Sequence, residues 1–277
     1  MTDINSLPPE LWSEVISWIQ SRRELCNVAL VSRNWKAEAE RVLYRNIDIY
    51  RLGGLSVRPL LQTVADSAPK ASHIHRLVMM TKQDIIDLIK GILLIVPNLH
   101  WMTILHRGGP HFIHHLPSKD IPFALRTFKT DYRVEHGVHA FLRSQPSIRL
   151  LSWAPNEKPS DLHTLPSSDL PNLRAISIRN DLEFIRIFLN PSIRSVDIRV
   201  KSIPNHYGSP APQIRAVRHF HPSGEDVVKG LAFMFPNVTY FSTTVRDVSH
   251  HLPPHTCPSP HMVVRSHSIG PSSISPT

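Results

Sequence analysis

Histidine is the residue type with the widest chemical repertoire in this chain, which contains 18 of them. An imidazole side chain can bind a transition metal or transfer a proton near neutral pH. Two groupings are candidates for a metal site, namely His111 with His114 and His115, and His136 with His139. Neither grouping is accompanied by a His-Glu-x-x-His helix, a cysteine pair or an acidic cluster. We therefore predict that these are solvated loop histidines, and that the chain binds no metal and needs no cofactor.

Motifs for catalysis are also missing from the sequence. The segment Arg107–Pro110 lacks the spaced glycines and the Lys-Ser/Thr pair of a phosphate-binding loop, so it predicts a turn. We find no nucleophile elbow, no kinase motif set and no paired carboxylates. The only cysteines, Cys26 and Cys257, support neither a disulfide framework nor a thiolate metal site. These observations predict a non-catalytic protein whose chemistry comes from a partner.

Charge is distributed unevenly along the chain. The formal net charge is +9, yet residues 1–50 carry six Lys/Arg against seven Asp/Glu, and the remainder carries 25 against 15. A basic excess favours association with nucleic acid or with an acidic protein surface. The longest mainly apolar run, Ile85–Val96, is 12 residues and contains Asp87 and Lys90, whereas a membrane span needs about 20 apolar residues. With no secretory signal at the N-terminus, we expect a cytoplasmic or nuclear protein that does not enter a membrane.

A short phrase recurs through the chain and predicts the elements that position the polar residues. It consists of a proline, usually a small polar residue, an aliphatic residue and then alternating apolar residues. The aliphatic residue, which we call the anchor, recurs every 20 to 26 residues. Two of the eight anchors, Ile74 and Leu125, belong to looser copies of the phrase. The eight anchors are Ile74, Leu99, Leu125, Ile148, Leu173, Ile193, Ile214 and Val238.

Apolar residues three and, more weakly, five positions after each anchor predict one short strand in each unit, because strand side chains alternate with period two. Helical patterns fall between the strands, over 84–96, 138–143, 182–189 and 227–235. A strand and a helix in each short unit cannot bury their apolar faces alone, so the units are expected to stack.

This unit length and the L-x-x-L-x-L pattern resemble the leucine-rich repeat family. The resemblance covers residues 70–245 as an irregular form, since the regular asparagine of that family is missing after the strands. Residues 51–69 are expected to form a connecting helix or linker. Residues 246–277, rich in Pro, His and Ser, are expected to be disordered. The predicted fold class is therefore α/β, with helices followed by an irregular strand/helix solenoid.

The N-terminal residues predict three short helices with more apolar side chains than such helices can bury. Apolar residues recur at three- and four-residue steps over 11–19, and Ser32 is a suitable N-cap for the third helix. The motifs Leu7-Pro8-Pro9-Glu10-Leu11 and Val31-Ser32-Arg33-Asn34-Trp35, in this order, resemble an F-box over residues 1–50.

The resemblance implies that this module binds the Skp adaptor of a cullin-based ubiquitin ligase, while the repeats hold a target protein. Adaptor contact or module core is implied for Leu7, Pro8, Leu11, Ile16, Leu25, Val31 and Trp35. The alternative is a small helical cap whose apolar residues are all internal.

Candidate target-binding residues come from two positions in the repeats. Arg126, Arg149, Arg174, Arg194 and Arg215 each follow an anchor directly, and a column of guanidinium groups could hold a phosphorylated or acidic segment. The alternative, which we favour, is that these side chains lie over their neighbours in solvent.

Alternate strand residues should line the concave face. These residues are Arg76, Trp101, Lys129, Ser152, Ser177, Asp197, Arg218 and Tyr240. Trp101 and Tyr240 are possible aromatic anchors, and Arg218 is a further cationic candidate.

We therefore predict the substrate-recognition subunit of a Skp–cullin–F-box ubiquitin ligase. The competing interpretation is a basic solenoid that binds nucleic acid or a scaffold that works outside a ligase. The acid-balanced first fifty residues and the F-box motifs weigh against nucleic acid.

Overall fold

The computed structural model describes residues 8–52, 54–80, 83–105, 116, 120–131, 136–153, 168–179, 191–199, 210–220 and 233–244. The chain divides into two compact units, the first comprising residues 1–129 and 135–145 and the second comprising residues 130–134 and 146–277. In the described ranges, no helix is both long enough and apolar enough to span a membrane.

The helices whose two ends both lie in the described residues all belong to the first unit. They are α1 (Pro9–Ser17), α2 (Arg22–Val28), α3 (Arg33–Arg45), α4 (Gly54–Ala65), α5 (Ala68–Ser72), α6 (Ile86–Leu93) and α7 (His136–Arg143). A short 3₁₀ turn, Gln83–Ile85, precedes α6. The segment 51–69, predicted as a connecting helix or linker, contains α4 and the first residues of α5.

Parallel pairing of short strands organises the first unit. Its strands are β1 (Asn46–Asp48), β2 (Arg76–Met80), β3 (Trp101–Leu105) and β4 (Thr127–Thr130), the last residue of which is assigned to the second unit. The strands lie side by side in chain order. β1 pairs with β2 and β2 with β3, both in parallel, and the register places Arg76 beside Trp101.

The second unit continues the same pattern within itself. Its strands are β5 (Leu150–Trp153), β6 (Ala175–Arg179), β7 (Ser195–Arg199), β8 (Ala216–Phe220) and β9 (Tyr240–Thr244). Each pairs in parallel with the next, and the register aligns Ser152, Ser177, Asp197 and Arg218. The fold class is thus mixed α/β with parallel strands, as predicted.

All eight strands predicted from the recurring phrase are present, as β2 to β9. Seven of the eight anchors are buried, from Ile74 to Ile214, and Val238 is half-buried. The described side chains three positions after the anchors, such as Leu77 and Val196, are buried too. The alternation in the sequence therefore identifies the inward face of the strands.

Several elements differ from the predictions. β1 was not predicted as a strand, because its three residues are too few to show an alternation. The helix predicted over 84–96 is shorter, as α6, and His136 and His139 lie in α7 rather than in a loop. The first turn of α7 contains no apolar residue before Val138, so the apolar pattern predicts a start two residues too late.

Other predictions fall outside the described residues. They concern Leu7, Cys257, His111, His114, His115 and the segments 107–110, 182–189 and 246–277, with most of 227–235.

The recurring proline forms the second position of a tight turn before six of the strands, β3 and β5 to β9. In three turns the backbone N–H of the anchor donates to the carbonyl of the residue before the proline, as from Leu173 to Leu170 at 3.2 Å. Proline suits this position because its fixed φ is the one such a turn requires. The turn therefore fixes where each strand begins.

Within each unit, the small polar residue of the phrase joins its turn to the residues that precede the neighbouring strand. The Asn98 side-chain amide donates to the Ser72 carbonyl at 2.7 Å, and Asn172 donates to the Pro146 carbonyl at 3.0 Å. Asn237 makes the equivalent bond to Pro212 at 2.9 Å. This polar ladder precedes the strands, whereas the sequence analysis looked for asparagine only after them.

Candidate functional site

Helices α1 to α3 form the helical module that we consider first. Ser21 and Ser32 are the N-caps of α2 and α3, and their hydroxyls accept the backbone N–H groups of Glu24 and Trp35, each at 3.3 Å. An N-cap hydroxyl satisfies one of the amide groups that a helix start leaves without a partner. Helix α1 has no such cap and begins with Pro9, which has no backbone N–H that would need a partner.

A small core holds these three helices together. Ile16 of α1, Leu25 of α2 and Ala39 of α3 are buried against one another, with Ile16 only 1% exposed. Partly buried apolar residues pack around them. They are Ile19, Val28, Ala29, Val42 and Leu43.

Two further contacts join α1 to α3. The Trp12 and Trp35 rings lie 4.6 Å apart between centroids with a tilted geometry. The Arg41 guanidinium donates to the Ser13 hydroxyl at 2.5 Å and to the Glu38 carboxylate at 2.8 Å. These contacts fix the orientation of α1, and with it the orientation of the side chains that α1 turns towards solvent.

An apolar stripe on α1 is left exposed. Leu11 and Val15 of α1 and Trp18, the C-cap residue of that helix, follow one another at four- and three-residue steps, which places them on one face, and Trp18 is 76% exposed. Leu30 and Val31, in the turn after α2, are exposed as well, Leu30 by 85%. Three short helices have therefore buried one set of apolar residues and left another in water.

The structure separates the predicted module residues into two groups. Pro8, Leu11 and Val31 are exposed, whereas Ile16 and Leu25 form the core. Trp35 is half-buried against Trp12. Val15, Trp18 and Leu30 were not among the candidates; the helical period of α1 was the signal that could have identified the first two.

The outward face of the strands in the first unit is cationic. The Arg76 guanidinium lies 4.8 Å and the Lys129 ammonium 4.9 Å from the centre of the Trp101 ring. The Trp101 indole N–H donates to the Thr103 hydroxyl at 3.2 Å. Trp101 is half-buried, and cations from the strands β2 and β4 hold its ring in place.

A cleft of about 530 Å³ adjoins this cationic face. It is lined by Gln20, Arg22, Asn46, Ile47, Asp48, Arg51, Leu52, Arg76 and Val78. Sequence reasoning did not bring Arg22, Arg51 and Arg76 together, because they are separated by long stretches of chain and belong to different elements.

The arginines that follow the anchors in the second unit form a regular backbone ladder. The carbonyls of Arg149, Arg174, Arg194 and Arg215 each accept two N–H groups from the start of the next strand segment, at 2.8 to 3.1 Å. All four residues are exposed. The Arg194 guanidinium donates to the Pro191 carbonyl and that of Arg215 to Asn237.

The remaining strand candidates of the second unit differ in exposure, and Ser152, predicted to line an open face, is buried. In the second unit, Arg218 and Tyr240 are exposed, and the Ser177 hydroxyl donates to the Asp197 carboxylate at 3.2 Å.

In the first unit, two histidines stand directly after the anchors, where the second unit has arginines. His75 and His100 make an edge-to-face ring contact at 5.3 Å, and the His75 carbonyl accepts the N–H groups of His100 and Trp101. Burial, the neighbouring His100 and the charge of Arg45 lower the pKa of His75 below its ordinary value. In the described residues there is no group of three metal-ligating side chains.

Comparison with known proteins identifies only the helical part of the chain. No curated protein matches the chain. A family model described as F-box-like matches residues 4–50, which contain α1, α2, α3 and β1. The predicted F-box resemblance is therefore confirmed for these residues, and an F-box-like domain indicates a role in substrate recognition through a Skp-type adaptor.

Proposed function

We propose that this protein is a substrate-recruiting subunit of a Skp–cullin–F-box ubiquitin ligase. F-box proteins are typically non-catalytic adaptors, so the mechanism is proximity, in which a bound target is held at high effective concentration near a ubiquitin-conjugating enzyme. The observation that carries the proposal is the exposed apolar stripe of α1 within the F-box-like match.

The docking surface consists of the exposed apolar residues of the helical module. They are Pro8, Leu11, Val15, Trp18, Leu30 and Val31. Burying a large apolar side chain completely contributes about 1.5–3 kcal/mol. A few such residues are enough for stable docking, while Ile16 and Leu25 support the surface from within.

The strands that follow present the target. Parallel strands in chain order and recurring turns support an irregular leucine-rich-like solenoid over residues 70–245, with residues 1–50 as the docking domain. We place the complex in the cytoplasm or nucleus, where the adaptor reaches a cullin scaffold.

Co-expression with a Skp adaptor and size-exclusion chromatography tests the proposal. The variant Leu11→Asp with Trp18→Ala alters only exposed positions, so it should remain folded and lose co-elution with the adaptor. Glu14→Ala, on the same helix and also exposed, is the control and should co-elute.

Salt distinguishes the competing function. Docking through apolar side chains should persist at moderate salt, whereas binding to nucleic acid falls steeply as salt rises. A folded wild-type chain that never co-elutes with the adaptor would refute the proposal.

A further inference from the structure

The cleft of the first unit has a cationic lining that the proposed adaptor docking does not use. Three arginines line it, and they come from the start of α2, from the turn after β1 and from β2. These are Arg22, Arg51 and Arg76. Guanidinium groups that converge from separate elements on one cleft repel one another unless an anion lies between them.

The present partners of these arginines leave much of their hydrogen-bonding capacity available. One Arg22 nitrogen donates to the Asn46 carbonyl at 2.9 Å, and Arg51 Nε lies 3.3 Å from an Asp48 carboxylate oxygen. The Arg76 guanidinium lies over the Trp101 ring. A guanidinium has five N–H donors in a planar fork, so each of these contacts occupies only part of it.

Charge in the cleft is not balanced internally. Among the described lining residues, Asp48 is the only acidic one and faces three arginines. Asp48 already accepts the backbone N–H of Arg51 at 3.2 Å as well as its side chain. The Arg51 side chain is nevertheless 84% exposed, so it can turn towards a ligand without disturbing the fold.

The size and the walls of the cleft indicate what it can hold. A volume of about 530 Å³ greatly exceeds the roughly 30 Å³ share of a water molecule and lies in the range of ligand pockets. Leu52 and Val78 form an apolar part of the wall beside the arginines. An anionic group carried on an apolar chain, as in a protein side chain, therefore fits this lining better than the phosphate backbone of a nucleic acid does.

We propose that this cleft binds a carboxylate- or phosphate-bearing side chain in an extended segment of a partner protein. The inference rests on the proposed function, since the partner would be the recruited target. Arginine forks bind both anions in a bidentate manner. Trp101, between Arg76 and Lys129, continues the site along the neighbouring strands and contacts the residues that flank the anion.

Fluorescence anisotropy with the full-length chain tests the site. The probes are short fluorescein-labelled peptides, one containing consecutive glutamates, one a phosphoserine, and one glutamines in place of the glutamates. At least one anionic peptide should bind and the glutamine peptide should not. Whether the glutamate or the phosphoserine peptide binds more tightly identifies the source of the anion.

Substituting the arginines and substituting Asp48 should change the affinity for the anionic peptide in opposite directions. Arg51→Glu with Arg76→Glu should weaken binding of the anionic peptide by roughly tenfold or more. Asp48→Asn should strengthen it several-fold, because it removes the opposing charge and keeps an acceptor for the Arg51 N–H. Arg23→Glu is the matched control: it is exposed, adjacent to Arg22 and outside the lining, and it should leave the affinity nearly unchanged.

Three results would overturn the assignment. The first is that neither anionic peptide binds, and the second is that Arg23→Glu weakens binding as much as the cleft variant does. The third is that a single-stranded oligonucleotide binds through the cleft in place of the peptides. Adaptor co-elution is measured on the same variants, so failed adaptor binding with intact peptide binding refutes the ligase function and leaves the anion site standing.

Discussion

The helical module and the strands treat their apolar side chains in opposite ways. Leu11 and Val15 of α1 and its C-cap residue Trp18 are exposed, whereas the inward residues of β2 and β3, such as Leu77 and Met102, are almost completely buried. The strands in turn expose cationic side chains. One region therefore offers an apolar surface and the other a charged one, so the two should respond differently to salt and to mutation.

The largest effect is expected for a buried strand residue. Phe128 is fully buried with its ring 5.3 Å from that of Phe141, and Phe128→Ala should lower the free energy of unfolding by about 3–5 kcal/mol. Urea denaturation measures the change. Arg126→Ala, exposed beside the same strand, should stay within about 0.5 kcal/mol; equal losses would show that the strand interior is not the stabilising core.

A paired substitution within α1 sharpens the contrast inside the helical module. Ile16→Ala should destabilise the module by about 2–5 kcal/mol because it empties a core position. Leu11→Ala, at a position 47% exposed, should leave thermal unfolding nearly unchanged and weaken adaptor binding. If both variants unfold alike, the exposed stripe belongs to the core and the proposed docking surface is wrong.

A smaller effect is expected where a polar side chain joins a turn to the end of helix α5. Asn98→Ala removes the hydrogen bond to the Ser72 carbonyl and should cost about 0.5–1.5 kcal/mol in urea denaturation. Because the site is exposed, the loss should lie at the lower end. An unchanged midpoint would mean that water replaces the carboxamide and that the turns hold without the ladder.

The smallest effect is a pH dependence at His75, which is only partly buried. Its pKa in the folded state is lowered, chiefly by burial, so the unfolded chain binds the proton more readily. Stability should therefore fall as the pH drops below about 6.5, the ordinary value for histidine. His75→Asn should flatten this part of the pH profile; an identical profile in the variant would assign the dependence to other histidines.

Sequence reasoning was strongest where one pattern repeats. The anchors and the residues three positions later identified eight strands because burial requires the same alternation in every unit. It was weakest where function depends on residues that are distant in sequence. Arg22, Arg51 and Arg76 share no spacing. Leu11 and Ile16 are both apolar residues of one helix, whose period groups residues by face without showing which face lies in water.

The turns before the strands also bear on how such a chain can change in evolution. A strand that follows a proline turn begins at a fixed point, because the turn, the side-chain amide bond and the shared carbonyl all act on the residues next to the anchor. The spacing of the anchors nevertheless varies from 20 to 26 residues. Insertions and deletions between the end of one strand and the next proline should therefore be inherited without a shift of register, while a single residue gained between proline and anchor should be eliminated by selection.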